Sequence, residues 1–395
     1  MGGAGGTGDV NDLDGPTGGP LDGVLVADFS RVLAGPYATM ILADLGATVV
    51  KVEGPGGDDT RTWTPPTRDG VATYYLSMKR NKRSIVLDLT DPADLAVAHR
   101  LADRADVLVE NFKPGGLVRF GLDHAAVRAR NESVVYCSIS GFGTAGGAHL
   151  PGYDLLVQAT SGFMSVTGEA DGSPLRAGAA VFDVMTGLHA AVAVLAALRH
   201  RDATGEGQLL ETNLLSVAMS CLVNQTSAVV AGGVVPRRMG NEHPSVYPYE
   251  PMPTGDGELI VIAANNGQFR KLCEVIGLPG LPDDPRFATP GVRSANREQL
   301  RPLMVEALAA RSAAEWFTLI TGAGVPCGPI NDVAQGVALA EGLGLDPVVW
   351  PGDPASAVPT VRNPVGYSAT PPTYRRSPPA LGADSAEIRA WLERG

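Results

Sequence analysis

Cysteine is scarce in this 395-residue sequence, and the four that occur, Cys137, Cys221, Cys273 and Cys327, stand far apart. With no C-x-x-C pair, neither a zinc site nor a disulfide framework is signalled, and a reducing cytoplasm is the simplest compartment. Long apolar runs are lacking too. The longest nearly apolar helical stretch, around residues 190–198, falls short of the roughly 20 residues that a bilayer requires, and the first twenty residues contain no apolar segment of the kind a cleavable signal needs. Positive charge is in deficit, with 31 Lys and Arg against 42 Asp and Glu, a net charge of −11. Such a balance argues against general nucleic-acid binding and against an anionic membrane surface, so any phosphate must be met by local basic residues.

What is present reads as a globular α/β chain of two or three domains. Hydrophobic residues make up 44% of the sequence and charged residues 18%, enough for a large core. Residues 1–20 are rich in glycine with little to bury, and are expected to form a flexible tail. The Gly-Gly-Ala-Gly-Gly run within that tail is no phosphate loop, because no strand precedes it and no helix follows. From residue 21 the pattern alternates. Residues 24–29, 47–52, 106–110 and 134–140 read as buried strands, with helices at 37–45, 94–104 and 186–200 and another at 209–223. This alternation predicts an open, Rossmann-like parallel sheet, with ligand at the carboxyl ends of its strands. The large domain is expected over 21–225 and a Gly- and Pro-rich linker over 226–250. A smaller α/β domain is expected over 251–330. The Pro-rich remainder, 331–395, has too little periodic apolar sequence to fold alone.

Asp183 stands out as a lone carboxylate in the run Ala177-Gly178-Ala179-Ala180-Val181-Phe182-Asp183. A carboxylate so poorly solvated must gain a partner, stay protonated, or serve as a nucleophile. On local pattern it also suits a helix cap or a first-turn charge favoured by the helix dipole. The wider context favours chemistry. The segment from Gly152 to Leu215 resembles the signature region of the class III CoA-transferases, the family of formyl-CoA transferase, carnitine CoA-transferase and the α-methylacyl-CoA racemases. The likeness extends through Asp28-Phe29-Ser30-Arg31-Val32-Leu33-Ala34-Gly35-Pro36, Val50-Lys51-Val52-Glu53, Asn81-Lys82-Arg83-Ser84, Val109-Glu110-Asn111-Phe112-Lys113-Pro114-Gly115, Ser140-Gly141-Phe142-Gly143 and Gly324-Val325-Pro326-Cys327-Gly328-Pro329-Ile330. Their order and spacing together carry the resemblance.

The resemblance implies that Asp183 is the catalytic carboxylate, attacking an acyl-CoA and passing CoA to a carboxylic acid acceptor through an aspartyl anhydride and an aspartyl-CoA thioester. It implies no metal and no cofactor beyond the CoA thioester substrate. By position it assigns Val32, Leu33 and Ala34 to the thioester end of the pocket, and Leu87, Asp88, Leu89, Thr90, Asn111, Phe112, Lys113 and Arg119 to the nucleotide and pantetheine. Arg119 and Lys113 suit phosphate chemically, although most exposed cations are merely solvated. The family's interlocked homodimer is implied as well, with segment 331–395 returning to the large domain and the active site between domains of the two subunits.

Several positions depart from the family's branches. Racemases carry a His where this chain has Tyr153 and a Glu where it has Asn266. A Tyr with an ordinary pKa near 10 is a poor base at neutral pH, so transfer is expected over racemisation. A non-catalytic acyl-CoA-binding protein is disfavoured by the presence of Asp183 between Gly168 and Gly187. Leu33 replaces the Gln of formyl-CoA:oxalate enzymes, which predicts a more apolar acyl group than a small diacid, and Gly54 stands where some relatives hold Arg.

Overall fold

The computed structural model describes residues 10–394, which divide into two compact units. One comprises residues 10–163, 177–233 and 346–394, and the other 164–176 and 234–345. The first unit is built on six strands: β1 (Leu25–Asp28), β2 (Thr48–Glu53), β3 (Lys82–Val86), β4 (Val107–Glu110), β5 (Val135–Ser140) and β6 (Gln208–Asn213). They lie in the order β3-β2-β1-β4-β5-β6, and every pairing is parallel. The predicted open parallel sheet is therefore the observed one. Strands β1, β2 and β4 are buried throughout, as a sheet covered on both faces requires.

Helices α1 (Ala34–Asp44) and α4 (Val181–Thr204) cover one face, where Val26, Val49, Val109 and Cys137 meet Ala38, Leu42, Ala190 and Val194. The other face carries α2 (Pro92–Arg104) and the C-terminal helix Ser385–Glu393. There Leu25, Val50, Ile85 and Leu108 pack on Leu101, Ile388 and Trp391. Helix α4 has 24 residues and is long and apolar enough to cross a membrane by length and composition, yet it lines the core and 44% of its most apolar window is buried. Its approach to α1 depends on Gly187, where an added Cβ would lie 2.6 Å from the Ala34 carbonyl oxygen.

The second unit has a three-stranded antiparallel sheet formed by Tyr249–Pro253, Glu258–Ile262 and Cys327–Gly328. Helices Asn266–Val275, Arg297–Leu308 and Ala313–Gly322 pack on it around Met252, Leu259, Phe269, Met304 and Trp316. Residues 234–248, expected as linker, belong to this unit, and so do residues 331–345. The return to the first unit thus begins at residue 346 rather than 331.

Two other expectations change, and one strand was not anticipated. The apolar residues of 209–223 are not one helix: Gln208–Asn213 pairs with β5 as an edge strand, and Asn213 then caps helix Leu214–Cys221 by accepting from the Ser216 amide at 2.8 Å. Strand β3 hides in a polar-looking sequence because Lys82, Arg83 and Ser84 are all buried and partnered. Part of the expected tail is ordered. Asn11–Asp14 is a helical turn whose Leu13 joins the core, and the buried Asp14 carboxylate pairs with Arg83 at 2.8 Å and Arg376 at 2.9 Å; residues 1–9 lie outside the described residues. Removing one partner from a buried ion pair leaves the other uncompensated. Asp14→Ala is therefore expected to lower unfolding stability by on the order of 3 kcal/mol in urea titrations.

Candidate active site

The strand order reverses between β1 and β4, and the carboxyl ends of strands at such a switch point are where doubly wound sheets bind ligands. The residues assigned to substrate binding sit around these strand ends. Val32, Leu33 and Ala34 follow β1 and open α1; Leu87, Asp88, Leu89 and Thr90 follow β3; Asn111, Phe112 and Lys113 follow β4. They are not equally free to bind. Leu87 is buried in the core, and Asp88 accepts from the amide and hydroxyl of Thr90 at 2.9 and 2.6 Å. Asn111 commits its amide to the Arg31 backbone, accepting from its N–H at 2.8 Å and donating to its carbonyl at 2.7 Å. Lys113 and Arg119 are exposed, with the Arg119 guanidinium 4.5 Å from the Phe120 ring centroid. Phe112 packs against the core beneath Arg31.

Leu33 is buried with Met40 and Met78. Its apolar side chain is thus spent on packing, and it does not support the expected preference for an apolar acyl group. Around this nucleus gather Val32, Tyr37, Tyr74, Ala180 and Val184, which bring the loop after β1 against the first turn of α4. Asp183 stands in that turn. No side chain caps α4 from its own N-cap residue, Ala180. Instead Asp154, at the start of helix α3 (Asp154–Thr160), accepts from the amides of Phe182 at 2.7 Å and Asp183 at 3.1 Å. Gln158 holds the other oxygen of Asp154 and also accepts from the Ala177 amide at 2.8 Å. Tyr153, 63% exposed, is the N-cap of α3.

Two features here escaped the sequence. The capping carboxylate is Asp154, whose place beside Tyr153 gave no hint of its distant partners. Tyr74 is the other: burial and the neighbouring Asp183 push its phenol up to about 12, so it stays a hydrogen-bond donor at neutral pH.

Burial, followed by the nearby negative charge of Asp154, raises the Asp183 carboxyl to about 7. Among the described residues neither a hydrogen bond to its side chain nor a cation offsets this, so at neutral pH a large fraction of Asp183 is an ionised, weakly solvated carboxylate. Such a group is suited to attack on a carbonyl carbon. Among the described residues, no group of three or more His, Cys, Asp or Glu is placed to hold a metal ion. In the second unit, Asn266 accepts from the Arg293 guanidinium at 2.8 Å.

Residues 21–385 match CoA-transferase family III. The chain belongs to that family. It is 44% identical over 386 residues to the succinate–glutarate CoA-transferase of Agrobacterium fabrum, covering 95% of this chain and 96% of that protein. It is 40% identical to the mouse succinyl-CoA:glutarate CoA-transferase, covering 93% and 85%, and 38% identical to the acetyl-CoA:oxalate CoA-transferase of Acetobacter aceti, covering 94% and 95%. A CaiB/BaiF family protein from Brucella suis superposes with a TM-score of 0.85 at 40% identity, over 95% of this chain and 99% of that one. The chain is accordingly an enzyme of the class III CoA-transferase type.

A carboxyl raised by folding stabilises the native state below its unfolded pKa, and that contribution is lost as pH climbs through the folded value. Asp183→Asn removes this liability. Urea titrations should show the variant gaining on wild type between pH 5 and pH 8.5, by on the order of 2 kcal/mol after a discount for partial hydration.

Proposed function

We propose that the protein is an acyl-CoA:carboxylate CoA-transferase in which Asp183 is the covalent nucleophile. The single observation behind this reading is a half-buried carboxylate that has neither a donor nor a cation among the described residues, raised to about 7, in an apolar wall beside the loop after β1. Asp183 attacks the thioester carbonyl, the carbon–sulfur bond breaks, and CoA leaves as thiolate with an aspartyl acyl anhydride behind it. The thiolate then attacks the Asp183 carbonyl, releasing the donor acid and forming an aspartyl-CoA thioester. An acceptor carboxylate attacks that thioester and expels CoA thiolate again. Return of the thiolate to the acceptor's carbonyl releases the new acyl-CoA and the free Asp183 carboxylate. Water must be kept out, since the anhydride would hydrolyse.

The relatives' names pair succinate with glutarate and acetyl-CoA with oxalate. Short dicarboxylates are therefore the first donors and acceptors to assay, in place of the apolar acyl group suggested by Leu33. Racemisation is disfavoured by the transferase relatives and by the amide at Asn266, which cannot serve as a proton base. The working unit is proposed to be a homodimer. Leu188 and Val192 on α4 and Val333, Leu339 and Leu343 near the helix Val333–Gly342 are exposed apolar residues that a second copy would cover.

Asp183→Asn should retain CoA binding and lose transfer by a factor of about 1,000 or more, and wild type incubated with succinyl-CoA should carry a hydroxylamine-sensitive adduct on Asp183. Transfer by the Asn variant within about tenfold of wild type would remove Asp183 from covalent chemistry. Labelled CoA should exchange between two acids without deuterium entering the α-carbon from heavy water. Because the attacking form is ionised, kcat/KM should rise with pH through an inflection near 7, and Asp154→Asn should shift that inflection downward.

A further inference from the structure

The loop after β1 is held in an unusual manner. Three consecutive residues, Ser30, Arg31 and Val32, have all of their backbone polar groups bound by side chains. Asp28 accepts from the Ser30 amide at 3.0 Å, and Lys51 donates to the Ser30 carbonyl at 2.9 Å. Asn111 serves both groups of Arg31. Asp58 accepts from the Val32 amide and Lys79 donates to the Val32 carbonyl, each at 3.4 Å. Val32 itself has φ +67°, a left-handed conformation that opposes a β-branched side chain and persists only where the surroundings impose it.

Asp58, Lys51 and Lys79 form one buried unit. A single Asp58 oxygen lies 2.9 Å from the Lys79 ammonium and 3.0 Å from that of Lys51, and all three side chains are inaccessible to solvent. Burial works against the Asp58 charge, but Lys79 and Lys51 hold its carboxyl well below the ordinary range, so it remains an acceptor. Buried ion clusters contribute little net stability, because desolvation offsets the attraction. What this one does is fix Val32, which shares one apolar cluster around Leu33 with Ala180 and Val184, at the first turn of α4 where Asp183 stands.

We propose that Asp58, clamped between Lys51 and Lys79, is a positioning residue that holds Val32 in its left-handed conformation and so sets the wall that an acyl group meets beside Asp183. The inference rests on Asp183 being the reacting group. Without the clamp, Val32 relaxes toward negative φ and the start of α1 shifts, whereas the exposed cations of the nucleotide end are untouched.

The test compares Asp58→Asn, Lys79→Met and Asp58→Asn/Val32→Gly with wild type, scoring kcat, KM for acyl-CoA, CoA affinity by calorimetry and Tm. Asp58→Asn should lower kcat by roughly tenfold to a hundredfold while CoA affinity stays within about threefold. Lys79→Met, which leaves Asp58 paired with Lys51, should move kcat in the same direction by a smaller factor and keeps the test open should Asp58→Asn fold poorly. Glycine takes positive φ without strain, so Val32→Gly should recover part of the kcat lost by Asp58→Asn. Asp44→Asn serves as the structural control. It weakens the buried Asp44–Arg80 pair at the far end of α1 and should lower Tm with kcat within about threefold of wild type.

The proposal is overturned if both clamp variants keep wild-type kcat, if kcat falls only in proportion to Tm across clamp and control variants alike, or if glycine restores nothing. Failure of the Asp183 reading looks different. There Asp183→Asn itself would remain active, whatever the clamp variants do.

Discussion

Two carboxylates compete for one helix N-terminus, and only Asp154 is served. By accepting from the amides of Phe182 and Asp183 it satisfies donors that a side chain at the helix's own N-cap would normally meet, and its charge stays close to Asp183. A helix N-terminus favours an anion by about 0.3–1 kcal/mol. Burial acts more strongly: a rise from 3.8 to about 7 corresponds to roughly 4 kcal/mol before any discount for hydration. The dipole therefore loses, and the position best placed to be a routine first-turn charge becomes one that keeps its proton up to near neutral pH and is poorly solvated once ionised.

Local pattern was enough for the parts of the fold that obey simple periodicities. The buried strands at 24–29, 47–52, 106–110 and 134–140 were visible because a doubly covered parallel sheet demands nearly continuous apolar sequence, and each lies within a residue or two of an observed strand. The same rule hid β3. Its Lys82 and Arg83 are buried because distant partners, Asp28 and Asp14, neutralise them, and no window of sequence displays a partner 54 or 69 residues away. Edge strand β6 was lost for another reason. Only one of its faces is covered, so its leucines ran on into those of the following helix as one apparent period, and the break at Asn213 is a capping event that only the backbone reveals.

The candidate site divides along similar lines. Motif order located the strand ends, and with them the places of Val32 after β1, Asn111 after β4 and Asp183 in the first turn of α4. What each does with its polar atoms was not legible there. Asn111 was assigned to ligand and in the structure braces Arg31; Leu33 was read as pocket lining and fills a gap between methionines. A residue near a site can also be tied to its neighbours, and sequence position does not display those ties. Tyr74 and Asp58 illustrate the converse, since neither carries a spacing signal and each matters through neighbours far along the chain.

A sheet whose first strands carry Asp28, Lys51, Glu53 and Lys82 places many charges where water does not reach. Apolar residues of similar volume would give at least as much stability at such positions. An apolar replacement could not hydrogen-bond, however, and the residues after β1 leave secondary structure before α1 begins. Their amides and carbonyls find partners outside any ladder or helix, and a group left unmet where it is buried costs roughly 1–3 kcal/mol. Long, buried side chains from neighbouring strands and loops reach them, and Lys51 near the end of β2 and Lys79 in the loop before β3 donate to the Ser30 and Val32 carbonyls. The same constraint ties the backbone after β1 to side chains from other strands and loops: Asp28 and Lys51 hold Ser30, Asn111 holds Arg31, and Asp58 and Lys79 hold Val32.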